Sequence, residues 1–358
     1  MLNIIIPIYE PNDLNENSFP ILDIVNNKSI FAWSLEHLEK YQGPKRYYII
    51  STDNLISKTH IDKIIKLYTK SEIRVIRLQK NTLGAPCAIL MGLDQYNLDE
   101  EFLLTSPDQF IDVNLEDHLQ LFKDNKSDAG TIGFKSIHLK WSYAEINHDN
   151  TITRIVEKIP ISNNALTSTY YFKNGSMMTN CLSKYILRGE LTNKKYYIAP
   201  CFNELIIRKH KIFYSKISSD KYYNFYSEDI KKTFTDYINN KKDNLIEVTN
   251  RYFEMLKNRD FENITSLFSE DISIELSDKK IIKGLDAIKD FYTKNLSTAY
   301  QSLLIDKITK IDDESSYCNF SLISNSINYD LIDKIYLNKI NNKICNIKRY
   351  SFTNHEEI

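Results

Sequence analysis

The chain has 358 residues, 42% of them hydrophobic and 26% charged, with a formal net charge of −1. That is enough apolar material for two cores, and it lacks the charge imbalance that marks a nucleic-acid or anionic-membrane surface. The five cysteines (87, 181, 201, 318 and 345) contain no C-x-x-C pair, which argues against a zinc site or disulfide framework and for buried thiols in a reducing compartment.

The start, "MLNIIIPIYE", has no basic region, and no stretch nears the roughly 18 apolar residues of a spanning helix. A cytoplasmic setting is expected. "LNIIIPI" and "KRYYIIS" read as buried strands, with a helix near "SIFAWSLEHLEKY" between them. The first strand runs into "IYEPNDLNENSFPILDI". Loops at this place in nucleotide-binding α/β domains usually carry glycines whose N–H groups close on phosphate, yet the first glycine of this chain is Gly43. With only 8 glycines in all, any backbone anion cradle must be built almost without them.

Downstream, the helix "HIDKIIKLYTK" precedes the strand "IRVIRL", and the helix "APCAILMGLDQY" leads into the strand "EFLLTS". "LEDHLQLFKD" and "AGTIGF" add another helix and strand. Strand and helix alternating in this way predict an α/β domain with a mostly parallel Rossmann-type sheet and helices on both faces. The polar run "INNKKDN", residues 238–244, reads as a linker. Beyond it come helices ("LIEVTNRYFEMLKNRDFENITSLF", "GLDAIKDFYTKNL") and then strands ("SLLIDKITKI", "SYCNFSLIS", "LIDKIYLN", "KICNIKRYSF"), the order of an α+β domain. The expected domains are 1–240 and 244–353.

In an open parallel sheet, ligands bind outside the carboxyl ends of the strands. Asp108 stands just past the apolar run "FLLTS", where a carboxylate can hold Mg²⁺ against a substrate phosphate. The alternative for Asp108 and Asp112 is structural, as turn and N-cap residues of "DVNLED". The seven histidines show no metal-ligand spacing, and neither a G-x-S-x-G elbow nor a Walker-type lysine loop is present.

Five segments, in order and spacing, resemble the sugar nucleotidyltransferase (nucleoside-diphosphate-sugar pyrophosphorylase) family, which has the type-A glycosyltransferase fold. They are "TLGAPCAILMGLD", "LLTSPDQFID", "KWSYAEINHDNTITRIVEKIPISNNALTSTYYFKNGS", "YYIAPCFNELI" and "YNFYSEDI". The resemblance implies that Gly84 and Ala85 lie against the nucleobase and that Asp108 binds Mg²⁺. It also implies that Tyr143 and Glu157 contact the sugar and that Lys158 contacts the acceptor phosphate. The first loop departs from the family pattern: the glycines and arginine are missing, and Phe19 stands where a lysine is expected before Pro20. A late metal-completing aspartate falls near Tyr223, with Asp220 the nearby acid. The opening "IIIPIYEPND" is also similar to family 2 glycosyltransferases, which would place Pro7, Tyr9 and Glu10 at the nucleotide and use Asp108 to Asp112 as the acidic metal motif.

Residues 245–352 resemble the SnoaL-like, nuclear-transport-factor-type cone. Some members of that fold use an interior His or Asp as a base, but no histidine occurs here, and Asp260, Glu270 and Asp271 fall at turn and strand-start positions. The resemblance implies an accessory role, with a homodimer formed through the cone. Taken together, the expectation is Mg²⁺-dependent activation of a phosphorylated sugar or similar small molecule by a nucleoside triphosphate, for surface (capsular or lipo-) polysaccharide. The alternatives are glycosyl transfer from a nucleotide sugar and a non-catalytic nucleotide-sugar-binding subunit. Neither nucleic acid nor membrane is an expected partner.

Overall fold

A mainly apolar run, buried from Leu2 to Ile6, forms β1 (Leu2–Pro7), and Ile8 prolongs its ladder by donating to the Ile50 carbonyl at 2.8 Å. The computed structural model describes residues 1–10, 19–261, 263–296, 302–311, 315–324, 327–337 and 343–351. The asparagines and Asp13 of the first loop therefore lie outside the described residues. A short hairpin, β2 (Ile24–Val25) and β3 (Lys28–Ser29), leads to α1 (Ile30–Glu39). Ser29 caps α1 by accepting from the Ala32 N–H at 3.2 Å.

Next come β4 (Lys45–Thr52), α2 (Asp53–Thr59), α3 (Ile61–Ile64) and β5 (Glu72–Leu78). The helix expected over 60–70 is shorter: left-handed His60 (φ 52°) ends α2 and starts α3, and after Ile64 the chain tightens into a 3₁₀ turn, Ile65–Leu67. The helix α4 (Ala85–Leu90) also stops early. Its end tightens into i+3 bonds, Met91 to Ala88 and Gly92 to Ile89, both at 3.1 Å, and glycine is a poor continuation of a helix.

The rest of this unit is β6 (Glu101–Thr105), β7 (Gln109–Ile111), α5 (Leu115–Asp124), β8 (Ala129–Lys135) and β9 (Ser142–Ile146). These are followed by β10 (Ile152–Glu157), β11 (Asn164–Phe172), α6 (Gly175–Arg188), α7 (Ile198–Ile207), β12 (Ile212–Lys216) and β13 (Tyr222–Asn224).

The sheet runs β10-β9-β11-β6-β1-β4-β5, with β8 beside β11 and β12 beside β8. Its centre, β6-β1-β4-β5, is parallel, and β11 returns antiparallel on β6. Alternate residues of each central strand enter opposite cores. Ile5, Tyr48 and Leu104 face one core, while Ile4, Tyr47 and Leu103 face the other, as a sheet covered on both faces requires. The chain winds from β1 to β4 and β5 on one side, then crosses to β6 on the other. That reversal leaves a crevice outside the carboxyl ends of β1 and β6, the usual place for a ligand. The expected α/β class with a mostly parallel central sheet is what the structure contains.

The chain divides into two units, Met1–Lys232 and Thr233–Ile358. The run 238–244 is not an irregular linker: it lies inside α8 (Glu228–Lys257). "INNKKDN" contains neither glycine nor proline, and buried Phe234, Ile238, Leu245, Val248, Tyr252 and Leu256 keep a helical stripe on both sides of it. Polarity alone was therefore a misleading signal.

The second unit continues with β14 (Phe268–Glu275), β15 (Ile281–Lys283), α9 (Leu285–Asp290), β16 (Ser302–Lys310), β17 (Ser315–Ser324), β18 (Ile327–Leu337) and β19 (Ile344–Ser351). Its sheet has the order β15-β14-β19-β18-β17-β16, antiparallel except for β14 with β19. Tyr252, Phe253 and Leu256 of α8 pack in this unit's core. Glu270 and Asp271 are exposed on β14. Among the described residues a buried acid is instead Asp333, which accepts two bonds from Arg349 at 2.8 and 2.7 Å beside the Tyr252–Tyr292 hydroxyl pair. No helix among the described residues is long and apolar enough to cross a membrane.

Candidate active site

A cleft of about 630 Å³ opens at the carboxyl ends of β1 and β6. Of the residues singled out from the sequence, Pro7, Tyr9, Gly84, Ala85, Asp108, Glu157 and Lys158 line it. Tyr143, Glu10 and Asp220 are not among its lining residues.

Backbone geometry brings Gly84 to the cleft. Its φ of 138° suits glycine, and a Cβ there would lie 2.1 Å from the Tyr196 carbonyl oxygen. The close approach has a purpose in the fold: Tyr196 donates to the Leu83 carbonyl at 2.8 Å, tying the start of α4 to the segment before α7. Proline at the first turn of α4 costs no hydrogen bond there.

Asp108 sits in the turn between β6 and β7, where the Ser106 hydroxyl donates to its carboxylate. Because β7 pairs with β13, Asn224 lies opposite Gln109. The Phe225 N–H and the Asn224 amide both donate to the Asp108 carbonyl, at 3.0 and 3.4 Å. Below this turn, fully buried Gln109 fills the gap where β6 and β11 part. Its Nε2 lies 2.9 Å from the Thr105 hydroxyl and 3.1 Å from the Ser168 carbonyl, and its Oε1 accepts from Ser168 N at 3.0 Å. One buried side chain therefore ties together Thr105 and Ser168, which line the cleft.

Glu157 ends β10 and Lys158 follows it; this edge strand is held in place by Asn203 of α7. That amide pairs with Ile155 like a neighbouring peptide, at 3.0 and 2.8 Å. Glu157 is 7% exposed, and the Ser142 hydroxyl donates to it. Burial raises its pKa, against the opposing effects of Ser142 and Lys158. Lys158 turns into the left-handed region (φ 57°) while its N–H holds the Trp141 carbonyl at 2.9 Å. Its ammonium donates to the Tyr197 hydroxyl at 3.0 Å.

The remaining predicted residues have other work. Successive strand residues face opposite sides, so Ser142 reaches the cleft while Tyr143 is buried in the opposite core with its hydroxyl on the His138 carbonyl, 2.7 Å away. The Glu10 carboxylate accepts from Thr52 and Asn54, and its backbone is bracketed by Asn81, so it pins the end of β1. Asp220 is exposed in the turn Ser219–Lys221, and Asp112 is paired with Lys40 and Lys221. The late segment instead delivers Asn224 beside Asp108.

The chain matches the nucleotidyl transferase family over residues 15–214. It belongs to that family. No curated protein sequence matches the chain. Among solved structures it is similar to the nucleoside-diphosphate-sugar pyrophosphorylase from Vibrio cholerae RC9, at 17% identity and a TM-score of 0.54 over 66% of this chain and 99% of that one. It is also similar to a putative glucose-1-phosphate thymidylyltransferase from Bacillus anthracis, solved in complex with a sucrose, at 14% identity and a TM-score of 0.50 over 65% and 93%. At these identities the likeness concerns the fold.

As a nucleotidyl transferase, and so a transferase, this chain has to meet the charge of a nucleotide. Among the described residues the cleft offers three cations. Lys140 lies 3.3 Å from the Tyr226 ring centroid, Lys158 4.9 Å from that of Tyr197, and Lys195 3.8 Å from that of Tyr9. Lys140, Lys195 and Asn224 were not singled out from the sequence. Each becomes a site residue only through a partner far away in the chain.

The donor set also bears on Mg²⁺. Among the described residues no three His, Cys, Asp or Glu side chains gather as a metal cluster. Asp108 with the neighbouring Asn224 fits a hard cation that takes most of its oxygens from substrate phosphates and water. It does not fit a cage built wholly from protein.

Proposed function

We propose that the cleft binds a nucleoside triphosphate and a phosphorylated sugar, or a similar small molecule, and joins them into a nucleoside-diphosphate product. The observation that supports this best is that Gly84, Asp108, Glu157 and Lys158, spread over 75 positions, line one cleft at the switch point of a parallel sheet.

In this reading the base lies on Gly84 and Ala85 near Pro7 and Tyr9. Glu157, fixed by Ser142, accepts from a sugar hydroxyl. Lys158 holds the acceptor phosphate so that one of its oxygens attacks the α-phosphorus in line, and the α–β anhydride bond breaks as pyrophosphate leaves with the electron pair. Asp108, with Asn224, would hold Mg²⁺, which when bound screens the negative charge around the α-phosphate.

The setting we propose is a cytoplasmic step that activates a sugar for surface polysaccharide. The domains are 1–240 for nucleotidyl transfer and 244–353 for a SnoaL-like cone that pairs two copies. An accessory role for the cone is supported by its buried carboxylate, Asp333, being neutralised by Arg349. Sedimentation equilibrium giving a monomer would remove the pairing.

The test is pyrophosphate release. Purified chain with Mg²⁺, each common nucleoside triphosphate and a panel of sugar 1-phosphates should release pyrophosphate with one pair, and Asp108→Ala should abolish the release. Release of a nucleoside diphosphate from a nucleotide sugar, with no pyrophosphate from any triphosphate, would replace this reading with glycosyl transfer.

A further inference from the structure

The segment that leaves β1, residues 10–18, contains Glu10, Asp13 and Glu16 and neither lysine nor arginine. The first cation of the chain is Lys28, which is engaged by Glu36 and lies 4.5 Å from the Trp33 ring centroid. A nucleoside triphosphate brings several negative charges into a cleft that already holds the acid Asp108. The compensating charge therefore has to come from elsewhere in the fold.

Lys195 has the right placement. A tight turn presents it: Thr192 and Lys195 exchange two backbone bonds of 3.0 Å across left-handed Asn193 and Lys194 (φ 48° and 60°). The next residue, Tyr196, is the one bonded to Leu83 and bridged to Gly84. From there the Lys195 ammonium reaches the Tyr9 ring, just past the end of β1. It stands between the platform at Gly84 and the end of the first strand. Lys158 is engaged by the Tyr197 hydroxyl, and Lys140 lies against Trp141 and Tyr226. None of the three lysines forms a salt bridge among the described residues.

We propose that Lys195 is the ligand for the nucleotide's phosphates in this chain, resting on Tyr9 when no nucleotide is bound. An ammonium over a half-exposed ring is weakly held, whereas a phosphate oxygen offers a charge-assisted hydrogen bond, so the nucleotide draws the side chain off the ring. This rests on the nucleotidyl-transfer reading above and assigns its phosphate contact to the segment before α7.

The experiment is calorimetric titration of the full chain with ATP, CTP, GTP, UTP and dTTP, each with Mg²⁺. It is repeated with Lys195→Gln, Lys195→Arg and Lys194→Gln for whichever triphosphate binds, and with the matching uncharged nucleoside by competition. Lys195→Gln should weaken the triphosphate about tenfold or more and leave the nucleoside unchanged. Lys195→Arg should restore most of the loss, and Lys194→Gln, whose side chain is exposed outside the cleft, should match the wild type. Equal triphosphate affinity in wild type and Lys195→Gln would overturn the assignment alone. So would a variant that loses nucleoside and triphosphate alike, since the defect would then be one of position. A wild type that binds no triphosphate would overturn the nucleotidyl-transfer reading and this assignment together.

Discussion

Replacing Gly84 by alanine tests how the cleft is held together. Two costs arise at this position. The backbone (φ 138°, ψ 172°) is in a region that is essentially glycine's alone, and forcing a side chain into it costs about 1–3 kcal/mol. The new Cβ would also meet the Tyr196 carbonyl oxygen at 2.1 Å and its backbone carbon and nitrogen at 3.0 Å. Backbone cannot swing aside as a side-chain tip can, so overpacking adds about 1–3 kcal/mol.

The sum, about 2–6 kcal/mol, corresponds to a melting temperature lower by roughly 10 °C for a unit of this size. Gly189 supplies the contrast. It is also left-handed (φ 74°), but a Cβ there meets nothing within 4 Å, so Gly189→Ala should cost only about 1–2 kcal/mol. Thermal unfolding followed by circular dichroism reads both variants. Relief of the clash must displace Tyr196 and its neighbours Lys195 and Tyr197, so Gly84→Ala should also raise the KM for nucleotide, which Gly189→Ala should not. If the two variants melt within about 2 °C of each other, the close approach of the two segments is not what holds the cleft.

Two further outcomes are expected. The Glu157 pKa is raised by burial, so the fold favours the neutral carboxyl. That contribution is complete below the unfolded pKa of about 4.3 and is lost as pH rises through the higher folded value. Glu157→Gln has no such charge to bury, so in urea titrations it should gain stability relative to wild type as pH rises above the unfolded value of about 4.3; a constant difference would remove burial as the cause. In the second unit, Arg349→Met leaves Asp333 buried without its bidentate partner and should cost about 3–5 kcal/mol. A paired Asp333→Leu, Arg349→Met variant should recover much of that in chemical denaturation, and failure of the double variant to recover would mean that the pair does more than neutralise itself.

The strand ends were legible because burial on both faces leaves a simple mark. "LNIIIPI" and "FLLTS" are short, mainly apolar runs, and the residues beyond them, Tyr9 and Asp108, had to emerge where a parallel sheet opens. The resemblance pointed to Glu157 and Lys158, and both line the same cleft. Local polarity misled at 238–244, since a run without glycine or proline can remain helical when apolar residues on both sides keep the period.

Other features are decided by contacts between distant residues, and no window of sequence contains those. Ser142 faces the cleft and Tyr143 the opposite core because of how β9 sits in the sheet, and a shift of one residue would exchange them. Asn224 meets Asp108 only because β13 pairs with β7, 116 positions along the chain. Lys195 reaches Tyr9 only because Gly84 lets two backbones touch. The sequence by itself determined which segments could be buried and where they end. The tertiary structure alone decided which polar groups those ends bring together, because charge and hydrogen bonding act over a few ångströms of space regardless of separation along the chain.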